Sequence, residues 1–313
     1  TLISKARAEA FVLTKGKVTE LKCRAMTPRG NAPSGRLIKI KASHYVLAAG
    51  AIGSPAILLR SAEKSLNPHG LVGTRTFLHP VNISGAIMPF AVNGEYGAPQ
   101  TSYSDHYVET RIDNKKPGFK LECPPLQPML MATALVGHGK VHAEIMKQRP
   151  NLQVLIALQR DGFHPESTGG QVYLKSDGTP GLDYQVSNYV WQGIRDAFMV
   201  MAEIQFAAGA KEVAPVHRDA GIYNSLKEVK KAIRDLPMEI LKARLFSAHV
   251  MGGCPMGEDP AKSVVNSNGR HHEVENLSVF DGSVFPTSIA ANPMESIFAA
   301  TAKFATELSL HQQ

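Results

Sequence analysis

The sequence lacks the features that would identify a membrane-spanning or disulfide-bonded protein. No apolar run reaches the roughly 18 residues that a membrane-spanning helix requires. Cysteine is scarce, and Cys23, Cys123 and Cys254 have no CxxC spacing, which argues against a disulfide framework and a zinc site. The first residues also lack the continuous apolar segment of a signal peptide. We therefore expect a soluble chain, and leave the cytoplasm and the periplasm both open as its location.

The sequence also has little that would indicate a nucleic-acid partner. Its net charge is +7, but the positive residues are spread along the chain. Lys227, Lys230 and Lys231 occur at helical spacing with Glu228 among them, which is typical of a solvated helix face. No zinc-finger, RNP or basic-plus-heptad pattern is present. The charge therefore predicts no nucleic-acid binding.

What is present at the N-terminus predicts a β-meander followed by a strand and a helix. ARAEAFVL and VTELKCRAM alternate, with a tight turn at Lys15-Gly16-Lys17 between them. RLIKIKASHYVLAAG predicts a returning strand whose apolar end is typical of a parallel strand covered on both faces. Ser54 is predicted to cap the next helix, with Pro55 at its first position. The small residues before that helix favour either an anionic or polar ligand on its amides or a plain packing turn.

Residues 66–245 predict an antiparallel sheet with helices laid on it. The predicted strands lie in NISGAIMPF, GFKLEC, NLQVLIALQRD, GQVYLK and DYQV, with a hairpin turn at SDGTPG. Apolar residues at helical spacing then predict one long helix that stops at Gly209 and a shorter helix capped by Ser225. Consecutive strands followed by helices indicate an α+β domain.

Two polar side chains near the C-terminus could carry chemistry. His249 lies among small residues, and Asn292 stands just before a long closing helix. A lone histidine is more often structural, but an imidazole and an amide on converging loops would supply a base and a neutral hydrogen-bond donor. That pair suits deprotonating an alcohol and stabilising the alkoxide. The neighbouring His271 and His272 are expected to be an exposed pair without a metal.

These segments resemble a known family, the glucose–methanol–choline (GMC) oxidoreductases. HVMGGCPMG, then VVNSNGR and ENLSVFDGSVFPTSIAANP, resemble the family's C-terminal signature, and VLAAGAIGSPAILLRS resembles its second signature. The resemblance covers about residues 1–65 and 245–313. It implies a partial, Rossmann-like α/β FAD-binding domain at 1–65 and 246–313. The middle, 66–245, would be the variable substrate-binding domain, an antiparallel sheet covered by helices.

The resemblance also implies roles for single residues. His249 matches the active-site histidine that accepts the substrate hydroxyl proton, and Asn292 matches its partner position. Hydride would pass from the alcohol carbon to flavin N5. His79, in RTFLHPVN, would either approach the substrate pocket or pack at a hinge. Contacts with FAD are implied for Ala8, Gly50, Ser54, Asp281, Gly282, Pro293 and Met294.

One element of the family pattern is missing. The family begins with a βαβ unit whose GxGxxG motif holds the FAD pyrophosphate, and no GxGxxG occurs in this sequence. We therefore expect the chain to be one piece of a longer or nicked protein. Its partner would be an N-terminal FAD-binding segment or chain.

The implied function is FAD-dependent oxidation of a small-molecule alcohol to an aldehyde or ketone. The alcohol is left open, as is the electron acceptor, which could be oxygen, a quinone or a cytochrome. Two alternatives remain at this point. One is a non-redox lyase built on the same scaffold, since a fold does not determine a reaction. The other is a truncated chain that acts only as a binding or structural partner.

Overall fold

The computed structural model describes residues 1–98, 100–109, 116–135 and 137–311. Its strands are β1 (Ala6–Thr14), β2 (Lys17–Met26), β3 (Pro33–Ile40), β4 (Tyr45–Leu47), β5 (Val81–Ile87), β6 (Tyr103–Ser104), β7 (Phe119–Glu122), β8 (Leu152–Gln159), β9 (Gln171–Leu174), β10 (Pro180–Asp183), β11 (Glu212–Pro215) and β12 (Leu277–Val279). Its α-helices are α1 (Gly50–Ser61), α2 (Pro128–Ala134), α3 (Gly139–Lys147), α4 (Asn188–Ala207), α5 (Leu226–Asp235) and α6 (Met294–His311). Short 3₁₀ turns lie at Lys64–Leu66, Arg149–Asn151 and Gly282–Val284.

The chain divides into two compact units. Unit 1 contains Thr1–Leu78, Thr168–Gln185 and His249–Gln313, and unit 2 contains His79–Ser167 and Val186–Ala248. These limits differ from the predicted ones because the β9–β10 hairpin packs on α1, where Arg60 Nε donates to the Gly178 carbonyl at 3.0 Å. The functional roles assigned to the predicted domains stay predictions.

The meander of unit 1 has the predicted turn but a shorter third strand. β1, β2 and β3 pair antiparallel, and Lys15 and Gly16 form the turn with φ of +51° and +76°. The single returning strand predicted across residues 36–50 is wrong, since β3 ends at Ile40 and β4 begins at Tyr45. The Tyr45 hydroxyl lies in this gap: it accepts the Ala42 N–H at 3.0 Å and lies 3.3 Å from the Ile40 carbonyl.

A parallel strand pair joins the two ends of unit 1. β4 pairs with β12, with Val46 opposite Ser278, which confirms a parallel strand at this position. Burial on both faces is not found, because the Val46 side chain is 45% exposed. Among the described strands, β4 pairs with β12 alone. Leu47 and Leu277 from this pair are buried in one core with α1 and α6.

Unit 2 is built on the predicted antiparallel sheet, with strand order β11-β5-β8-β7-β6. One face of the sheet is covered by α4. Asn82 Nδ2 donates to a carbonyl of α4 at 3.3 Å, and the Ser84 hydroxyl bonds the Gln205 side chain of α4 at 2.7 Å. Phe198 and Met201 of α4 are fully buried in the core on this face. The two units together confirm the predicted fold class.

Several predicted elements differ in extent. The β9–β10 hairpin forms as predicted, but β10 starts at Pro180 and ends at Asp183, so DYQV is not a strand. Two short helices, α2 and α3, were not predicted, because helices of this length depend on packing against the rest of the chain. No helix in the described ranges is both long and apolar enough to cross a membrane.

Candidate functional site

The segment that carries His249 is fixed beside the Asp281-Gly282 motif. Three backbone hydrogen bonds join the two segments: Gly252 N–H to Gly282 O (3.1 Å), Cys254 N–H to Ser283 O (2.9 Å) and Met256 N–H to Val284 O (2.8 Å). The His249 side chain is half-buried. The structure therefore brings together the two parts of the C-terminal pattern that are separated by about thirty residues in the sequence.

Two consecutive glycines make this close approach possible. Gly252 and Gly253 have φ of +82° and +98°, a region that favours glycine. A Cβ on Gly252 would lie 2.0 Å from the Arg75 carbonyl oxygen, and one on Gly253 would lie 2.8 Å from Pro55 Cγ. Neither position accepts a side chain. No role was predicted for these glycines, although a Gly-Gly pair beside a candidate catalytic histidine is a signal for close backbone packing.

The buried Asp281 carboxylate connects the end of β12 to the start of α1. Its Oδ2 accepts the Gly50 N–H at 2.9 Å and the Ser54 hydroxyl at 2.5 Å, and its Oδ1 accepts the Ser283 N–H at 2.8 Å. The prediction that Ser54 caps the helix is wrong. The helix begins one turn earlier, at Gly50, because Asp281 binds its first amide and Ser54 Oγ accepts the Ala49 N–H at 3.0 Å.

The open space at this site lies in front of Gly50. Gly50 has φ of +75°, and no heavy atom of the described residues lies within 4 Å of the position of a Cβ there. Ala48 and Ala49, just before it, are exposed. Gly282 differs, because its Cβ would meet Ile297 of α6 at 3.1 Å. Gly50 therefore faces free space at a helix start, whereas Gly282 allows α6 to pack closely.

The Asn292 loop contains one strained residue and is followed by a helix that contacts the Asp281-Gly282 motif. Asn292 is exposed and lies two residues before α6 begins at Met294, whose side chain is 61% exposed. Ala290 is buried with φ of +60°, a conformation unusual for alanine that is often found at functional sites. Ile297, in the first turn of α6, contacts Gly282. The His249 and Asn292 segments thus both contact the Asp281-Gly282 motif.

A buried thiol next to this motif takes no part in chemistry. Cys254 is fully buried, and burial together with the nearby Asp281 carboxylate raises the pKa of its thiol far above the ordinary value. A thiol that stays protonated is neither a nucleophile nor a metal ligand.

Three predicted residues remain: Ala8, Pro293 and His79. Ala8, on β1 opposite Cys23, is half-buried and packs against the core of unit 1. Pro293 is buried directly before α6. His79 belongs to unit 2, where it is fully buried with φ of +51°, and its amide donates to Asp161 Oδ1 at 3.2 Å. The roles predicted for these residues stay predictions.

The expected exposed pair at His271 and His272 is wrong, because His271 is 5% exposed and His272 is half-buried. The Nδ1 of His271 accepts the Glu273 N–H at 3.2 Å, so Nε2 carries the proton and donates to the Leu66 carbonyl at 3.2 Å. Burial lowers the pKa of this imidazole. In the part of the chain that the structure describes, no three His, Cys, Asp or Glu side chains are grouped to hold a metal ion.

Comparison with known proteins shows the family to which this chain belongs. Two models described as GMC oxidoreductase match residues 1–81 and 165–301, which together are more than half of the chain. The chain therefore belongs to the GMC oxidoreductase family. Long-chain-alcohol oxidase FAO4A of Arabidopsis thaliana is 27% identical over 267 residues, 80% of this chain and 35% of that protein. An uncharacterized GMC-type oxidoreductase, y4nJ of Sinorhizobium fredii, is 24% identical over 99% of this chain and 57% of that protein.

Two solved structures share the fold. Pyridoxine 4-oxidase from Mesorbium loti has a TM-score of 0.62 at 19% identity, covering 96% of this chain and 57% of that one. A structure concerned with FAD modification in Aspergillus oryzae formate oxidase has a TM-score of 0.69 at 15% identity, covering 99% and 61%. The chain therefore spans between about a third and three fifths of the proteins it matches.

Proposed function

We propose that this chain carries the base and part of the flavin site of an FAD-dependent oxidoreductase that oxidises an alcohol to an aldehyde or ketone. The observation that carries the proposal is the convergence of the His249 and Asn292 segments on Asp281-Gly282. Family membership supports it. So do relatives named long-chain-alcohol oxidase and 2-methyl-1,2-propanediol dehydrogenase, and the formate oxidase structure concerned with FAD modification.

The residues at the start of α1 fit a flavin cofactor. The Asp281 carboxylate already binds the first amide of α1 and holds the backbone there, while the open side of Gly50 faces free space. A side chain at Gly50 would enter that space. In the proposal the cofactor site is formed by Ala8, Gly50, Ser54, Asp281, Gly282, Pro293 and Met294, with Ser54 and Asp281 acting through the backbone at the start of α1. Bound FAD would supply the acceptor for the hydride, at flavin N5.

Asp281 itself acts through the backbone. Both of its oxygens already bind this chain, at Gly50, Ser54 and Ser283. Its role in the proposal is therefore to hold the α1 amides in place for the cofactor. A carboxylate fixed by three donors is well suited to that, since charged hydrogen bonds are the strong ones.

His249 and Asn292 have different roles toward the substrate hydroxyl. His249 Nδ1 or Nε2 accepts the hydroxyl proton, and the Asn292 amide donates a hydrogen bond to the oxygen that becomes negative. The alcohol carbon is then free to release its hydride. Close packing at the glycine pair and the contact of Ile297 with Gly282 fix the two backbones, so that the imidazole and the amide are positioned before the substrate binds.

The direct test is the absorption of the flavin-loaded intact protein on anaerobic addition of primary and secondary alcohols. We expect the flavin band to bleach with at least one alcohol. If FAD is bound but no alcohol of the panel bleaches it, the proposal is wrong. Cleavage of a cyanohydrin-like substrate with the flavin left oxidised would instead indicate the non-redox alternative.

A further inference from the structure

Unit 2 contains an apolar cavity on the face of its sheet opposite α4. The cavity has a volume of about 350 Å³ and lies entirely within unit 2. Alternate residues of β5 and β8 divide between the two faces. Ser84 and Leu155 face α4, whereas Ile83, Gly85 and Val154 line the cavity. The volume and the lining are those of a small-molecule pocket.

The floor of the cavity is deep because small residues lie side by side in it. Gly85 pairs with Val154 on one side and with Ala214 of β11 on the other. A Cβ on Gly85 would meet Leu152 Cδ1 at 3.7 Å, an ordinary contact, and φ there is not positive. The sheet could therefore carry a larger side chain at this position, and the glycine leaves room for something else.

The roof is an amphipathic helix whose apolar side is packed only in part, through Ile145 and Met146. Val141 and Ile145 of α3 line the cavity, while Lys140, Glu144 and Lys147 do not. No described residue of α3 is fully buried, and Val141 is 64% exposed. Leaving such apolar surface in water is unfavourable by about 25 cal/mol per Å². An apolar occupant would remove that cost.

We propose that this cavity binds an aliphatic chain. The polar side chains among the described residues that line the cavity are Gln148, Glu212 and His217, which are too few to hold a sugar and include no lysine or arginine for an anion. His217 is one of them, and its imidazole is already engaged with the Pro237 carbonyl at 2.8 Å and the Asp219 amide at 3.1 Å.

The test is calorimetric binding of 1-hexanol, 1-octanol and 1-decanol to the intact protein, with glucose as the polar probe. Each added methylene should lower Kd about fourfold while the chain fits, from about 0.8 kcal/mol per buried methylene. Affinity without chain-length dependence, or equal affinity for glucose, overturns the proposal.

Variants locate the binding. Gly85→Leu fills the floor and should raise the Kd of 1-octanol at least about tenfold. Val141→Ser, at an exposed roof position that does not threaten folding, should raise it roughly threefold. Ala143→Leu adds the same side chain on an exposed part of α3 that does not line the cavity, and should change nothing. Equal effects of Gly85→Leu and Ala143→Leu overturn the assignment to this cavity.

The two proposals fail separately. Binding of 1-octanol needs no flavin and no turnover, so binding without flavin bleaching removes the alcohol oxidation and keeps the cavity. Flavin bleaching by a short polar alcohol, with no chain-length-dependent binding, removes the cavity proposal and keeps the alcohol oxidation.

Discussion

The two units of this chain are built on different principles. In unit 1, short strands and turns are held by particular contacts: the Asp281 carboxylate on three donors, and Gly252 and Gly253 against neighbouring backbone and proline. In unit 2, a regular antiparallel sheet and a long helix bury a broad apolar core on one face of the sheet. Substitutions at these particular contacts of unit 1 should therefore have large effects, whereas an open position of the unit 2 sheet such as Gly85 should tolerate a small side chain.

The sharpest form of this contrast is a pair of glycine-to-alanine substitutions. Gly252→Ala in unit 1 places a Cβ 2.0 Å from the Arg75 carbonyl oxygen at positive φ, and should lower the free energy of unfolding by at least about 3 kcal/mol. Gly85→Ala in unit 2 meets only an ordinary contact, and should change it by less than about 1 kcal/mol. Urea unfolding followed by circular dichroism measures both. Equal effects would remove the contrast.

The polar link at Asp281 should give the next largest effect. Asp281→Asn leaves one oxygen for three donors and puts an amide N–H₂ against one or more of them. We expect a loss of about 2–3 kcal/mol in the free energy of unfolding and weaker FAD binding. The control is Asp235→Asn, at the exposed end of α5 in unit 2, where the change should stay within about 0.5 kcal/mol. A tolerated Asp281→Asn would show that the link is dispensable.

Acid should weaken unit 1 through His271. Burial lowers the pKa of His271 in the folded state, so the unfolded chain binds the proton more readily. Its contribution to stability is complete above the ordinary pKa of about 6.5 and is lost as the pH falls below it, by at most about 1.4 kcal/mol per pH unit. His271→Gln, which can keep a donor for the Leu66 carbonyl, should flatten the loss between pH 6.5 and 5. An unchanged slope in urea unfolding at these pH values would contradict this account. Burial also lowers the pKa of His44, so the His271→Gln variant should still lose some stability as the pH falls, but less than the parent.

The smallest effect is expected at Tyr189 in unit 2. Its ring stacks on His164, and its buried hydroxyl has no partner among the described residues. Tyr189→Phe should therefore change the free energy of unfolding at neutral pH by less than about 1 kcal/mol. Burial raises the pKa of Tyr189 to about 12, so its stabilising contribution is present below pH 10 and is lost between about 10 and 12. The variant should lose less stability in that range. Fluorescence of the single tryptophan, Trp191 in unit 2, reports the transition. A loss above 2 kcal/mol at neutral pH would contradict the prediction.

The two units also differ in what their sequence revealed. Alternation and helical spacing predicted the sheet and α4 of unit 2, because regular elements follow regular patterns. They did not predict the cavity, which depends on Gly85 lying beside Ala214 across the sheet. Nor did they predict α2 and α3, which are too short to be stable without packing.

In unit 1 the motifs indicated which residues meet but not how they meet. The resemblance singled out His249, Asp281 and Asn292, and the structure places all three segments together. The capping role of Ser54 was wrong because Asp281, more than two hundred residues later, supports the first turn of α1. The burial of His271 also depends on a distant partner, the Leu66 carbonyl. Local sequence carries no information on such contacts.

The central claim, that His249 is the base in alcohol oxidation, is tested most directly by the rate of flavin reduction. The measurement is anaerobic stopped-flow mixing of the FAD-loaded protein with a reactive alcohol, for the parent, His249→Ala and His69→Ala. His69 is an exposed histidine of the same unit and serves as the matched control. We expect His249→Ala to retain FAD and to slow flavin reduction by at least about 10²-fold, the usual effect of losing a general base, while His69→Ala keeps the parent rate. An unchanged rate in His249→Ala would contradict the account.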